Sequence, residues 1–324
     1  MKIKDRIYGE VEITEPVLLE IINSPALQRL KGVSQFGYFE PFFPGTSYSR
    51  FEHSVGVCLL LRKYGASLEE QIAGLIHDVS HSAFSHCIDY VLKEGSGKKH
   101  DHQDNIFNNY ILATDIPDII KKYEFELKHI LDDKRHPLKE QELPGLCADR
   151  IDYSLRNACV FTKNTDINYY LDNLIIENNN WIFKNFESAK KYSVLFSSLD
   201  YYNCGLPSAT MFLSVGDYLK HALSKEYISL NDLYTTDQEV LLKIGKYHTK
   251  DEHLKLLFDR MNNKIGCKNN PNDFDSEVFC KSRVVDPLSK NKGKIIHVSE
   301  IDSEWRIVLE KESEPKKYFL KFDK

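Results

Sequence analysis

The chain is dominated by segments in which apolar residues recur at helical spacing. Between residues 50 and 64, for example, Val55, Leu59 and Leu60 fall on one helix face, and similar patterns predict helices through most of the first 245 residues. Alternating apolar and polar positions predict short strands at 3–13, 174–183, 294–298, 305–310 and 317–322. We therefore predict a mainly α fold, a helical bundle with small β-hairpins and a small C-terminal antiparallel β (α+β) appendage.

The length and apolar content allow one large domain with a smaller addition. The chain has 324 residues, of which 42% are hydrophobic, enough for a substantial core. We expect residues 1–225 to form the helical domain and residues 226–324 to form a C-terminal helical region with a small β-sheet subdomain.

Charge and cysteine content narrow the class of partner and the compartment. The net charge is −5, so no general basic field favours nucleic acid or an anionic membrane surface. The sequence has no apolar signal region at its start and no run that approaches a membrane span. Its 7 cysteines form no C-x-x-C pair, which favours reduced thiols. We expect a cytoplasmic protein.

The densest chemistry lies in residues 74–89, where an adjacent histidine and aspartate are followed by two more histidines and another aspartate. Six of the 12 histidines fall between positions 53 and 102. Imidazole nitrogens and carboxylate oxygens are the donors that divalent metals use in proteins. An apolar helix over 71–76 would present the His77-Asp78 pair at its end. This pattern predicts a metal site.

Three separated motifs resemble the HD-domain phosphohydrolase superfamily, and more narrowly its deoxynucleoside triphosphate triphosphohydrolase branch. They read Arg-Phe-Glu-His-Ser at 50–54, His-Asp-Val-Ser-His-Ser-Ala-Phe-Ser-His at 77–86, and Asp-Arg-Ile-Asp-Tyr at 149–153. The similarity covers roughly residues 1–245. It implies an HD-domain helical bundle and metal-dependent hydrolysis of a phosphoester or phosphoanhydride of a nucleotide.

The resemblance also implies a set of metal ligands: His53, His77, Asp78 and Asp149. Two neutral imidazoles and two carboxylates balance a divalent charge, and Mn, Fe, Ni, Co, Zn and Mg all fit this mixture of nitrogen and oxygen donors. Such an ion makes water a nucleophile near neutral pH and polarises a phosphoryl oxygen. We expect Asp152 to lie outside the ligand set, as an acid that supports the ligands or the local structure.

The remaining site residues follow from the same resemblance. The expected catalytic residues on the substrate side are His81, His86, Asp89 and His102. Either His86 or His81 is the candidate proton donor, and Asp89 is expected to orient His86 and raise its pKa. His100 is the near rival of His102, and a solvated loop histidine is an equal alternative for either.

Three residues are expected to contact the substrate: Gln35, Arg50 and Tyr153. Gln35 matches a family glutamine that contacts the nucleotide sugar, although an ordinary loop amide is an equal alternative. A guanidinium one helical turn from His53 suits a phosphate held in bidentate fashion, which favours Arg50.

Two departures from the family pattern leave the identity of the substrate undecided. Phe36 stands where the branch has leucine, and residues 188–223 contain Tyr201 and Tyr202 but lack the family's run of triphosphate-binding residues. A (deoxy)nucleoside triphosphate triphosphohydrolase is the leading prediction. A phosphatase or phosphodiesterase acting on a smaller phosphorylated compound, and a non-hydrolytic nucleotide-binding regulatory module, are the alternatives. The resemblance further implies a homo-oligomer.

Overall fold

The computed structural model describes residues 1–162 and 164–323. In chain order the α-helices are α1 (Pro16–Asn23), α2 (Pro25–Arg29), α3 (Arg50–Lys63), α4 (Leu68–Ile76), α5 (His102–Leu112), α6 (Ile116–Lys122), α7 (Leu127–Ile130), α8 (Ala148–Phe161), α9 (Ile167–Asn173), α10 (Phe186–Ser198), α11 (Asp200–Cys204), α12 (Leu206–Ser224), α13 (Asp237–Gly245), α14 (Glu252–Met261), α15 (Val298–Ile301) and α16 (Ser303–Lys311). Short 3₁₀ helices cover Leu30–Gly32, Ser85–Tyr90, Asp133–Arg135 and Leu230–Tyr234.

The strands form three small sheets. They are β1 (Lys2–Asp5), β2 (Gly9–Glu12), β3 (Leu174–Glu177), β4 (Asn180–Phe183), β5 (Cys267–Asn269), β6 (Ser276–Cys280), β7 (Leu288–Asn291), β8 (Lys294–His297) and β9 (Lys316–Phe322). The first sheet is the β1–β2 hairpin, the second has the order β3-β4-β7-β8, and the third has the order β5-β9-β6. The predicted fold class, mainly helical with small sheets, is confirmed.

One predicted strand is wrong. Residues 305–310 lie in α16 rather than in a strand. The side chain of Asp302 accepts hydrogen bonds from the backbone N–H groups of Glu304 and Trp305, each at 3.0 Å, and so caps the start of this helix. Trp305 is buried, and Val308 and Leu309 pack on the same core at helical spacing. Capping and this spacing outweigh the alternation of polar and apolar residues.

The C-terminal strands are divided between two sheets: β5, β6 and β9 form a sheet of their own, whereas β7 and β8 join β3 and β4. Strand β8 pairs with β7, and β4 lies parallel to β7 with Ile182 opposite Leu288. Strand β9 lies between β5 and β6. Residues on both sides of position 225 therefore share one sheet. No helix among residues 1–162 and 164–323 combines the length and the apolar character needed to cross a bilayer.

Helices α3 and α8 approach each other closely at Gly56. A Cβ atom there would lie 1.9 Å from Nη2 of Arg156 and 2.2 Å from Oδ1 of Asp152. The guanidinium of Arg156 has no freedom to move, because it donates to Asp152 at 2.7 Å, to Asp5 at 2.7 Å and to Glu52 at 3.1 Å. Glycine at this position permits a buried charge network between the two helices and the β1–β2 hairpin.

We expect Gly56→Ala to lower the free energy of unfolding by about 3 kcal/mol, because the added methyl group displaces buried paired charges. Gly245→Ala is the matched control, since a Cβ at this helix position meets only His248 at 4.0 Å. Chemical denaturation of both variants measures the effect. Equal stability of the two variants would show that the helices separate without cost.

Candidate metal centre and active site

Three helix ends converge on one point. His53 lies in the first turn of α3, which is capped by Ser49 accepting from the backbone N–H of Glu52 at 3.2 Å. His77 and Asp78 follow directly after the last residue of α4, and Asp149 lies in the first turn of α8. The chain thus brings together residues that are 96 positions apart.

The donor atoms of these side chains are spaced as metal ligands are. The Nε2 atom of His53 lies 2.9 Å from Oδ1 of Asp149 and 3.2 Å from Nε2 of His77. Asp78 places Oδ1 3.4 Å from Nε2 of His77 and Oδ2 3.8 Å from Nε2 of His53. Ligands about 2.0–2.2 Å from a common ion lie roughly 3 Å from one another. His53, His77 and Asp149 each place one donor atom within 4.8 Å of the others, so these three can hold one divalent ion, whereas Asp78 lies outside that group and stays a predicted ligand.

Hydrogen bonds at Nδ1 fix the rings of His53 and His77 in the tautomer that metal ligation requires. Nδ1 of His77 donates to the carbonyl of Gly74 at 2.8 Å, and Nδ1 of His53 donates to Oδ2 of Asp152 at 2.8 Å. A proton on each Nδ1 leaves the lone pair on Nε2, the atom that faces the cluster. Asp152 therefore occupies the supporting position that the sequence predicts.

The cluster carries a negative field. Burial alone lowers the pKa of His53, but the carboxylates of Asp149 and Asp152 outweigh it and raise that pKa to about 9. A field that attracts a proton to a fully buried imidazole also attracts a metal cation. The electrostatics and the spacing of the donors thus agree.

Arg50 holds a metal-ligand candidate in place. Its guanidinium donates to Oδ2 of Asp78 at 2.7 Å, to Oγ of Ser85 at 2.8 Å and to the carbonyl of Gln35 at 2.9 Å. The guanidinium of Arg50, which we predicted to bind phosphate, thus donates to three acceptors of the protein itself. Its observed contacts orient Asp78, although the side chain also borders the cavity described next.

A cavity of about 240 Å³ opens beside the cluster. Aromatic residues, amides, histidines and charged groups line it: Gln35, Phe36, Phe39, Arg50, His77, Asp78, His81, His86, His100, Gln103, Asp104, Glu140, Leu143, Asp149, Arg150, Tyr153, Asn157, Tyr202, Asn203, Phe212, Lys281 and Arg283. The predicted substrate residues Gln35, Arg50 and Tyr153 are all among them. Within residues 1–162 and 164–323, Oε1 of Gln35 and the hydroxyl of Tyr153 have no hydrogen-bond partner.

His81, His86 and His100 form a row of imidazoles on the cavity wall. The rings of His81 and His86 meet edge to face at 5.0 Å, and His86 stacks on His100 at 4.8 Å. Nε2 of His81 lies 3.3 Å from Oδ1 of Asp78. Asp89 lies behind this wall and holds Nδ1 of His86 at 3.1 Å.

The expected rise in the pKa of His86 is wrong. Burial and the neighbouring His100 and His81 rings hold the pKa of His86 well below its usual range. Burial also raises the pKa of Asp89 to about 7, so its carboxyl carries less negative charge near neutrality. Asp89 therefore orients the imidazole of His86 but does not promote its protonation.

The structure places His100, rather than His102, in the cavity wall. Nε2 of His102 lies 3.1 Å from the hydroxyl of Tyr234, and its backbone N–H donates to Asp89 at 2.9 Å. His102 therefore helps to join α5 to the segment that carries His86, and it does not border the cavity. His100 has a positive φ of 51°, a backbone conformation that is rare outside glycine.

The cationic residues Arg150, Lys281 and Arg283 line the cavity but are not among the residues predicted from the sequence. Arg150 directly follows a predicted ligand, so its position in the motif was an available signal. Lys281 and Arg283 lie more than 120 residues beyond the motifs, and only their alternate spacing marked them as two side chains on one face of an extended segment.

Comparisons with known proteins agree with this geometry. The HD domain family matches residues 50–157. The chain is 36% identical to the uncharacterized protein YdhJ of Bacillus subtilis over 89% of this chain and 88% of that protein. It is 43% identical to the metal-dependent phosphohydrolase cns2 of Cordyceps militaris over 50% of this chain and 46% of that protein. The chain belongs to the HD-domain phosphohydrolase superfamily and is a metal-dependent hydrolase.

More distant relatives share only the central region or the fold. The deoxynucleoside triphosphate triphosphohydrolase SAMHD1 of Bos taurus is 34% identical over 37% of this chain and 24% of its own length. Two crystal structures, a hypothetical protein from Aquifex aeolicus and a phosphohydrolase from Bacteroides thetaiotaomicron, superpose with TM-scores of 0.74 and 0.71 at 19% identity. Both matches cover 100% of this chain, together with 96% and 100% of the respective structures, and show the same fold.

We expect Asp152→Asn to weaken binding of Mn²⁺ by roughly ten- to a hundredfold, because the carboxylate that orients His53 and raises its basicity is lost. Calorimetric titration with the metal measures this affinity. Asp118→Asn, on the exposed face of α6, serves as the control and should bind as the unmodified chain does. Unchanged affinity in Asp152→Asn would remove Asp152 from the metal site.

Proposed function

We propose that this chain hydrolyses nucleotides and that its leading substrate class is a (deoxy)nucleoside triphosphate, released as nucleoside and triphosphate. The observation that carries the proposal is the position of the donor cluster. His77, Asp78 and Asp149 border the same cavity as an aromatic surface and several cationic side chains. Such a cavity matches the base, the phosphates and the reacting centre of one nucleotide.

The proposed ligands are His53, His77, Asp78 and Asp149. A divalent ion bound there supplies Lewis acidity and lowers the pKa of water. The chain's own residues fix the geometry, since Arg50 orients Asp78 and Asp152 orients His53. Neither orienting side chain has to move when substrate enters, because both are buried and fully engaged.

His86 is the proposed proton donor to the departing oxygen. Asp89 holds Nδ1 of His86, which leaves Nε2 for a substrate atom, and the side chain of His86 is 21% exposed. Without substrate the low pKa keeps the ring neutral. The negative charge of a bound phosphate raises that pKa, so that the ring takes up a proton on Nε2 from solvent and then donates it to the departing oxygen. His81 and His100 lie on either side of this ring, and we assign to them the positioning of the phosphoryl group.

The nucleoside portion fits the aromatic side of the cavity. Phe36 stacks on Phe39 at 4.4 Å, and Tyr202 also borders the space. A base has a flat π-face that packs against such rings. Oε1 of Gln35 is an unpaired acceptor within the described residues, so we assign it to a sugar hydroxyl. The named activity of SAMHD1, similar over the central region, supports a nucleotide substrate.

A phosphatase or phosphodiesterase of a smaller phosphorylated compound is the second candidate. Its support is the cavity volume of about 240 Å³, which lies below the roughly 300–1,000 Å³ of most small-molecule sites. Phe36 adds to this argument, because its ring fills space beside Gln35. The alternative regulatory module would bind nucleotide without hydrolysis. The expected homo-oligomer and cytoplasmic location stay predictions.

A substrate panel separates these functions. Metal analysis of the purified protein comes first, followed by assays with deoxynucleoside and nucleoside triphosphates, monophosphates, cyclic nucleotides and p-nitrophenyl phosphate. Inorganic triphosphate as a product supports the leading proposal, whereas phosphate from monoesters alone favours the second candidate. Tight nucleotide binding with no turnover under any metal would contradict hydrolysis.

We expect His86→Ala to lower kcat by roughly 10²–10³-fold with its metal content unchanged, because a positioned proton donor is lost. His253→Ala, an exposed imidazole on α14, is the control and should retain full activity. Steady-state kinetics with metal analysis of each variant tests the assignment. Unchanged turnover in metal-loaded His86→Ala would exclude the proton-transfer role.

A further inference from the structure

An extended segment after β6 borders the cavity. Lys281 and Arg283 border the space, whereas Ser282 and Val284 between and after them are buried. This is the alternation of a strand-like backbone, in which successive side chains point to opposite sides. Two cations consequently reach the active site from a part of the chain outside residues 50–157, which the HD domain family matches.

Contacts on both sides fix the position of this segment. The hydroxyl of Tyr90 donates to the carbonyl of Phe279 at 2.6 Å, just before Lys281. Val284 and Val285 are buried in the core that also contains α8 residues, and the backbone N–H of Asp286 donates to the carbonyl of Pro144 at 2.8 Å. Lys281 and Arg283 are therefore presented on a fixed backbone.

The ion pairs among the cavity residues do not include Lys281 or Arg283. Its lining contains four cationic side chains and four carboxylates. Arg50 pairs with Asp78 at 2.7 Å, and Arg150 pairs with Glu140 at 3.0 Å. Within residues 1–162 and 164–323, neither Lys281 nor Arg283 has an ion pair or side-chain hydrogen bond.

The remaining carboxylates do not neutralise this pair. Asp149 belongs to the donor cluster. Asp104 also borders the cavity, and burial raises its pKa, which reduces its negative charge. Burial and the neighbouring Arg283 lower the pKa of Lys281 to about 8. Two like charges held together in a partly buried site favour an anionic ligand.

Other hydrogen-bond donors border the same cavity as Lys281 and Arg283, among them Tyr153. Burial raises the pKa of Tyr153, and the charge of Arg283 opposes that rise most strongly. The hydroxyl of Tyr153 is buried and has no acceptor among the described residues. His86 and His100 also line this cavity. A phosphate group accepts several such charge-assisted hydrogen bonds at once.

We propose that Lys281 and Arg283 bind phosphate groups other than the one attacked, which makes the substrate a nucleoside di- or triphosphate. The inference rests on the proposed hydrolysis of nucleotides and specifies its substrate class. The two side chains supply the cationic contacts that residues 188–223 lack. Because they act on phosphates away from the reacting centre, they contribute to substrate affinity more than to the chemical step.

The test compares Lys281→Ala and Arg283→Ala with Lys294→Ala, an exposed lysine on the neighbouring strand β8. A deoxynucleoside triphosphate and p-nitrophenyl phosphate, which has no second phosphate, are the substrates. We expect KM for the triphosphate to rise roughly ten- to a hundredfold in each cavity variant with kcat nearly unchanged. Kinetics with p-nitrophenyl phosphate should stay within about twofold, and Lys294→Ala should match the unmodified protein.

Equal losses on both substrates would overturn the inference, because the cations would then act on the attacked phosphate. Normal kinetics in both cavity variants would overturn it as well. A calorimetric measurement is independent of turnover: the metal-loaded protein should bind inorganic pyrophosphate at least about tenfold more tightly than orthophosphate, and Arg283→Ala should lose that preference. Equal affinity for the two anions in the unmodified protein contradicts the subsite, whereas absence of hydrolysis with the preference intact contradicts only the proposed function.

Discussion

The bond between His53 and Asp152 is the interaction on which the site depends. His53 is fully buried between α3 and α8, with Nδ1 held by Asp152 and Nε2 directed at Asp149. If the ring turned over, its protonated nitrogen would face the metal position. The orientation of one imidazole thus decides whether helices brought from distant parts of the chain form a ligand set or only a polar contact.

Asp152 in turn depends on charges supplied from the start of the chain. The hydroxyl of Tyr8 donates to Asp152 at 2.8 Å, and Arg156 joins Asp152 to Asp5. A buried carboxylate without such partners would become protonated, and its O–H would then donate to Nδ1 of His53 and leave the imidazole proton on Nε2, which faces the metal position. The β1–β2 hairpin, which lies before the HD domain match, is therefore part of the metal centre's support.

The sequence was most informative where the chemistry is local. Helix ends, caps and the adjacent His77-Asp78 pair are readable because each depends on near neighbours, and the helical fold class follows from apolar spacing. The segment at 305–310 was misread because alternation within six residues also fits a short helix once Asp302 caps it. The choice between His100 and His102 needed the turn at positive φ, which sends one imidazole toward His86 and the other toward Tyr234.

Lys281 and Arg283 could not be located from sequence for a different reason. Their proposed role depends on where β6 and β7 place the intervening segment beside the cavity, and strand pairings over such separations leave no local pattern in the sequence. A related argument applies to Phe36 on the aromatic side of the cavity. Its ring does not stand alone, because it stacks on Phe39 and meets Tyr48 edge to face at 5.3 Å. A packed aromatic group keeps its shape when a ligand enters. In the proposed function, substrate choice combines an aromatic surface beside Gln35 with two cations that have no ion pair within residues 1–162 and 164–323, and neither feature belongs to the metal-binding motifs.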